Sequence, residues 1–92
     1  MSFSLVFTDS YNRRAAKWLK KHSELRATYL KTLQLLELNP FHPSLRIHAL
    51  RGRMQGVYSV SINMSYRITI DLLISEQEII LLNVGDHESV YD

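Results

Sequence analysis

The stretch Tyr66-Arg67-Ile68-Thr69-Ile70-Asp71-Leu72 alternates apolar and polar residues without a break. Side chains on a β-strand point to opposite faces in turn. The pattern therefore predicts a strand with Tyr66, Ile68, Ile70 and Leu72 on one face and Arg67, Thr69 and Asp71 on the other. Such a strand needs partners, and the chain supplies them nearby. Val57 to Ile62 places Tyr58, Val60 and Ile62 on one side and Ser59 and Ser61 on the other, with Asn63-Met64-Ser65 as the connecting turn. Ile79-Ile80-Leu81-Leu82 is apolar on both faces and suits a central strand, with Glu76-Gln77 in the turn before it. Phe3 to Phe7 predicts a first strand, and a shorter one is expected around Arg46 to Leu50.

The region between the first strand and Leu45 has a different period. Tyr11, Ala15, Trp18 and His22 follow helical spacing, Leu19 widens the stripe, and Arg13, Arg14, Lys17 and Lys20 fall mainly outside it. Asp9 or Ser10 is expected to cap this helix by accepting a backbone N–H bond. Ser23 is the expected cap of a second helix, in which Tyr29, Leu33 and Leu36 share a face with Leu25 and Leu30 alongside. That helix should stop near Asn39, because Pro40 disfavours helical backbone in the residue before it. The resulting fold class is α+β: an N-terminal strand, then a two-helix hairpin packed on one face of a largely antiparallel sheet, in the order β-α-α-β-β-β-β. No repeat, low-complexity tract or linker interrupts residues 1–92, which read as a single domain.

The chain has no cysteine, which removes disulfides, thiolate metal sites and cysteine nucleophiles and suits a reducing cytoplasm. Met1-Ser2-Phe3-Ser4 lacks the charged and apolar regions of a signal peptide, and no apolar run is long enough to span a bilayer, so no membrane association is expected. Eleven Lys and Arg against nine Asp and Glu give a net charge of only +2, weak evidence for a polyanionic partner. The distribution is more informative. Lys17, Lys20, Lys21, Arg46, Arg51, Arg53 and Arg67 precede an end rich in Glu76, Glu78, Asp86, Glu88 and Asp92. The polar sheet face with Ser59, Ser61, Arg67 and Thr69 reads either as a solvated surface or as a groove for a charged ligand.

Three segments in order carry a family resemblance: Leu50-Arg51-Gly52-Arg53-Met54-Gln55-Gly56-Val57-Tyr58, then Tyr66-Arg67-Ile68, then Val84-Gly85-Asp86-His87-Glu88-Ser89-Val90-Tyr91. A leucine-glycine turn, a "YR" on the second strand of a pair and a closing "G-x-H-x-x-V-Y" resemble the RelE/ParE superfamily of type II toxin–antitoxin toxins. The RelE/YafQ-like branch is the better match. The resemblance implies a ribosome-dependent endoribonuclease that cleaves translated mRNA by attack of the 2′-hydroxyl on the phosphate, independent of metal and of any cofactor. It also implies a cognate antitoxin, the ribosome and mRNA as partners, with operator DNA reached only through the antitoxin complex.

Matched position by position, His87 falls where the family often has a catalytic histidine or arginine, and imidazole can act as acid or base near neutrality. Arg67 matches an arginine that contacts the scissile phosphate, where a guanidinium stays charged and can hold two oxygens. His48 matches a catalytic histidine of YafQ-like relatives. Tyr91 matches a terminal aromatic that stacks on or orients the base, and Arg46, Arg51 and Arg53 are placed to grip phosphates. Structural readings stand beside these: a strand-end cap for His87, an Arg67–Asp71 ion pair, core packing for Tyr91, solvated loop arginines. The four histidines, at 22, 42, 48 and 87, are too scattered to form a metal motif.

The chain also departs from the family. Ser59 and Ser61 stand where some relatives carry lysines, and other relatives have a histidine at the Ser61 position and an aspartate near Ser65. The acid–base set is thereby reduced to His48, His87 and Arg67. Two other functions fit the same resemblance: a ParE-like gyrase inhibitor without a catalytic centre, and a non-toxic member acting with its antitoxin in operon regulation.

Overall fold

Thr8 separates the first strand from the first helix. Strand β1 (Ser4–Phe7) ends there, and the Thr8 hydroxyl accepts a 3.1 Å bond from the backbone N–H of Tyr11 at the start of α1 (Asp9–Lys21). The cap thus lies one residue before the expected Asp9 or Ser10. Thr8 is the residue with extended backbone, and from that position its oxygen faces the unsatisfied donors of the first turn. The structure, a computed structural model, describes residues 2–50 and 56–86. Ser23–Leu25 forms one 3₁₀ turn, and α2 (Arg26–Leu38) begins with no side-chain cap, so Ser23 does not cap it as expected. Asn39, extended before Pro40, closes α2 as the sequence predicts.

Four further strands follow: β2 (His48–Ala49), β3 (Val57–Ser61), β4 (Tyr66–Leu73) and β5 (Glu78–Asp86). The sheet order is β1-β5-β4-β3-β2, with β1 parallel to β5 and the other pairs antiparallel. The apolar residues of β5 meet β4 in two registers. Val84 lies opposite Ile68, whereas Leu81 lies opposite Ile70 and Ile79 opposite Leu72, with a bulge between Thr69 and Ile70. One extra residue in β5 thus keeps Ile79, Leu81 and Val84 on one buried face, where strict alternation would have split them.

The helices cover that face. Tyr11, Ala15 and Trp18 of α1 and Tyr29, Leu33 and Leu36 of α2 pack with Val60, Ile68, Ile70, Ile79 and Leu81 in one core. Tyr11 and Tyr29 lock the helix pair through a buried 2.7 Å hydroxyl–hydroxyl bond. Burial pushes both phenols above their ordinary value. For Tyr11 the neighbouring Tyr29 adds to the rise, whereas for Tyr29 the bond from Tyr11 opposes it. Among the described residues no helix is long and apolar enough to cross a membrane.

Candidate functional site

Strand registry builds the polar face of the sheet in two rows. His48, Ser59, Thr69 and Asn83 are successive partners across β2, β3, β4 and β5. Ser61, Arg67 and Gly85 form the next row. Because Ile68 and Ile70 point into the core, alternation turns Arg67 and Thr69 away from the helices. The sequence thus predicts the side on which Arg67 stands, and the structure agrees.

The face is not simply solvated. Ser59 is fully buried, and Ser61 and Thr69 are nearly so. The Arg67 side chain accounts for Ser59: its Nε donates to the Ser59 hydroxyl, and its Nη2 donates to the Ser59 carbonyl at 3.3 Å and the Arg46 carbonyl at 3.0 Å. A long side chain laid over a small one shields it from water while keeping its own charge at the surface. Ser61 turns its hydroxyl into the adjoining turn, donating to the Asn63 carbonyl at 2.6 Å. The Thr69 hydroxyl oxygen is buried and meets no hydrogen-bond partner among the described residues.

Arg46 reaches Arg67 through an unusual backbone. The residue follows a 3₁₀ turn at Pro43–Leu45 and sits in the left-handed region, with φ 49° and ψ 49°. For a residue with a Cβ that conformation costs about 1–2 kcal/mol. It allows the Arg46 carbonyl to meet Arg67, while the Arg46 guanidinium donates from Nη1 to the Met64 sulfur at 3.4 Å. Arg46, His48, Ser61, Asn63, Met64 and Arg67 together line a depression of about 310 Å³. Asn63 shapes its rim by accepting from the backbone N–H groups of Ser65 and Tyr66 through Oδ1, at 2.8 and 2.9 Å.

Three of the residues singled out from sequence, Arg46, His48 and Arg67, therefore come together. His87, Tyr91, Arg51 and Arg53 lie outside the described residues. Asp86, the last described residue, pairs with Tyr66, immediately before Arg67. Asn63 and Met64 were legible only as a turn, because a turn composition says nothing about which side chains overhang a neighbouring strand. The remaining histidines serve elsewhere. His42 Nδ1 accepts from the Ser44 backbone at 3.2 Å, and the His22 ring packs against Trp18 and Tyr66.

A helix pair on one face of a five-stranded sheet is a fold that this chain shares with solved structures of bacterial toxins. A YoeB/ParE toxin from Agrobacterium tumefaciens superposes with a TM-score of 0.74 at 21% identity, covering 92% of this chain and 99% of that one. The toxin–antitoxin complex DinJ–YafQ from E. coli gives 0.79 at 15% identity and full coverage of both chains. The YoeB–YefM complex from Staphylococcus aureus gives 0.71 at 14% identity, covering 95% and 99%. No protein-family model and no curated protein matches the sequence.

Proposed function

We propose that this chain is the toxin of a type II toxin–antitoxin module and a ribosome-dependent endoribonuclease acting on translated mRNA. The observation that carries the reading is the convergence of Arg46, His48 and Arg67 on one groove, on a fold shared with toxins crystallised in antitoxin complexes. In the reaction, the 2′-oxygen of one nucleotide attacks its own 3′-phosphate while a base removes the 2′-proton. The bond to the departing 5′-oxygen breaks as an acid delivers a proton there, leaving a 2′,3′-cyclic phosphate and a 5′-hydroxyl. His48 is assigned as base and His87 as acid, the two groups whose chemistry suits proton transfer near neutral pH.

Arg67 supplies the cation for the charge that builds on the non-bridging oxygens. Its bonds to Ser59 and to the Arg46 carbonyl hold the guanidinium before substrate arrives, so little reorganisation accompanies the reaction. Tyr91 is assigned to the base, and Arg46, Arg51 and Arg53 to flanking phosphates.

Primer extension on mRNA translated in a purified system, run beside a plasmid-supercoiling assay, tests the proposal. The wild-type chain should cut translated message and leave gyrase active. Arg67→Ala should slow cleavage about 10²–10³-fold, and His48→Ala or His87→Ala about 10²–10⁴-fold. Intact message together with inhibited gyrase would replace the nuclease reading with the ParE-like one.

A further inference from the structure

A second depression, of about 430 Å³, lies on the helix side of the sheet where α1 meets the start of β4 and the end of β5. Arg14, Lys17 and Lys21 line it, with Asp86 the one carboxylate among the described residues that line it. These cations are spaced three and four residues apart and so share one side of α1. At 1.5 Å per residue the row spans about 10.5 Å.

Aromatic rings form the rest of the wall. The Tyr66 and His22 ring centres are 4.6 Å apart, both rings are partly exposed, and Trp18 packs against them at 5.4 and 5.1 Å. Glu24 stands 3.8 Å from His22 Nδ1, outside the depression. A line of cations beside accessible rings is the combination that holds single-stranded nucleic acid, the cations tracking phosphates while a base stacks. The row is long enough to meet more than one phosphate of such a strand. An acidic peptide would satisfy the cations and leave the rings unused.

The two depressions lie at the same end of β4, on opposite faces of the sheet. Tyr66 lines this one, and Arg67, the next residue on the same strand, lines the groove on the opposite face. A strand that leaves the groove and turns around the beginning of β4 comes to the side of the sheet that carries the α1 row. We infer that this depression is a second RNA subsite, which grips the phosphates and one base of the segment flanking the nucleotides in the groove. The inference rests on the RNA-cleaving function proposed above.

Trp18 is the chain's only tryptophan, so its fluorescence reports on this subsite. The test uses the full chain with a trinucleotide and an octanucleotide of 2′-O-methyl RNA, which lacks the hydroxyl needed for cleavage. The octanucleotide should quench Trp18 and bind about tenfold tighter than the trinucleotide. In Lys17→Ala/Lys21→Ala that advantage should vanish, and the slope of log affinity against log salt should fall by about 1.4, at about 0.7 for each single-strand phosphate no longer neutralised. Trinucleotide affinity should not change. Arg14 is retained because its Nη1 also donates to the Leu82 carbonyl at 3.1 Å and ties α1 to β5.

Unchanged octanucleotide affinity and salt slope in the double variant would overturn the second subsite. Trinucleotide binding that is lost in Arg67→Ala would still uphold the groove. Failure of the folded wild-type chain to bind either RNA would overturn both. Quenching of Trp18 by a polyglutamate peptide, without quenching by the octanucleotide, would overturn the RNA subsite in favour of an acidic protein partner.

Discussion

Arg67 can act on a phosphate only if its guanidinium stays where β4 places it, and Ser59 is the residue that keeps it there. The serine is fully buried, lies across from Thr69 on the next strand, and accepts from Arg67 Nε. From sequence, Ser59 is a departure from relatives that carry a lysine, a loss of charge. In the folded protein it is a short acceptor that a lysine could not replace, since an ammonium only donates. Ser59→Ala should therefore leave the Arg67 charge intact and its position loose. Expected outcomes are a loss of about 1 kcal/mol in stability, about tenfold slower cleavage, and no change in the salt dependence of RNA binding. Urea denaturation, single-turnover cleavage and a salt titration check the three. A slope that falls with the rate would mean that Ser59 has a role in phosphate binding of its own.

The helix pair is held by the Tyr11–Tyr29 bond as well as by apolar packing, which makes the elements sensitive to alkali. Burial raises both phenols above their ordinary value, so the folded chain keeps protons that the unfolded chain has released. Stability then falls with rising pH once unfolded tyrosines ionise, from about pH 10 upward, by at most about 1.4 kcal/mol per pH unit for each such group. Tyr11→Phe should cost about 1–2 kcal/mol at neutral pH, because the Tyr29 hydroxyl loses its buried partner, and should make the alkaline decline shallower. Thermal melts across pH 7–11 measure both effects. The same elements show what periodicity can convey. Tyr66 to Leu72 was readable because one face is wholly apolar, and the side on which Arg67 stands followed from it. The parallel pairing of β1 with β5, the bulge in β5 and the 3₁₀ turn at Ser23–Leu25 were not readable. The first two depend on partners distant in sequence, since Ile79 to Leu82 is apolar on both faces in any register, and Ser23-Glu24-Leu25 suits the first turn of a helix as well as a 3₁₀ turn.

At the scale of the whole molecule, the described residues form two cationic depressions at one end of β4, one on each face of the sheet, with Tyr66 lining one and Arg67 the other. The groove was partly legible, because Arg67 belongs to a quoted motif and His48 falls where YafQ-like relatives have a histidine, while Arg46 was legible only as a cation near them. The α1 depression was not, since Arg14, Lys17 and Lys21 read as a solvated helix flank until the end of β5 comes alongside them. On the function proposed above, an open groove would damage the cell, and a partner that competes for the groove would supply control. The DinJ–YafQ structure is a toxin–antitoxin complex that holds a chain of the same fold, and on the function proposed above an antitoxin segment is the partner expected. Expression of the lone chain should arrest growth, Arg67→Ala should relieve the arrest, and co-expression of the cognate antitoxin should relieve it without substitution. In vitro, antitoxin should displace 2′-O-methyl RNA from the wild-type chain competitively, raising the apparent Kd in proportion to antitoxin concentration above its own Kd. RNA and antitoxin bound together at full affinity would show that the groove is not what the antitoxin controls, and normal growth with soluble folded chain present would argue against a toxin function.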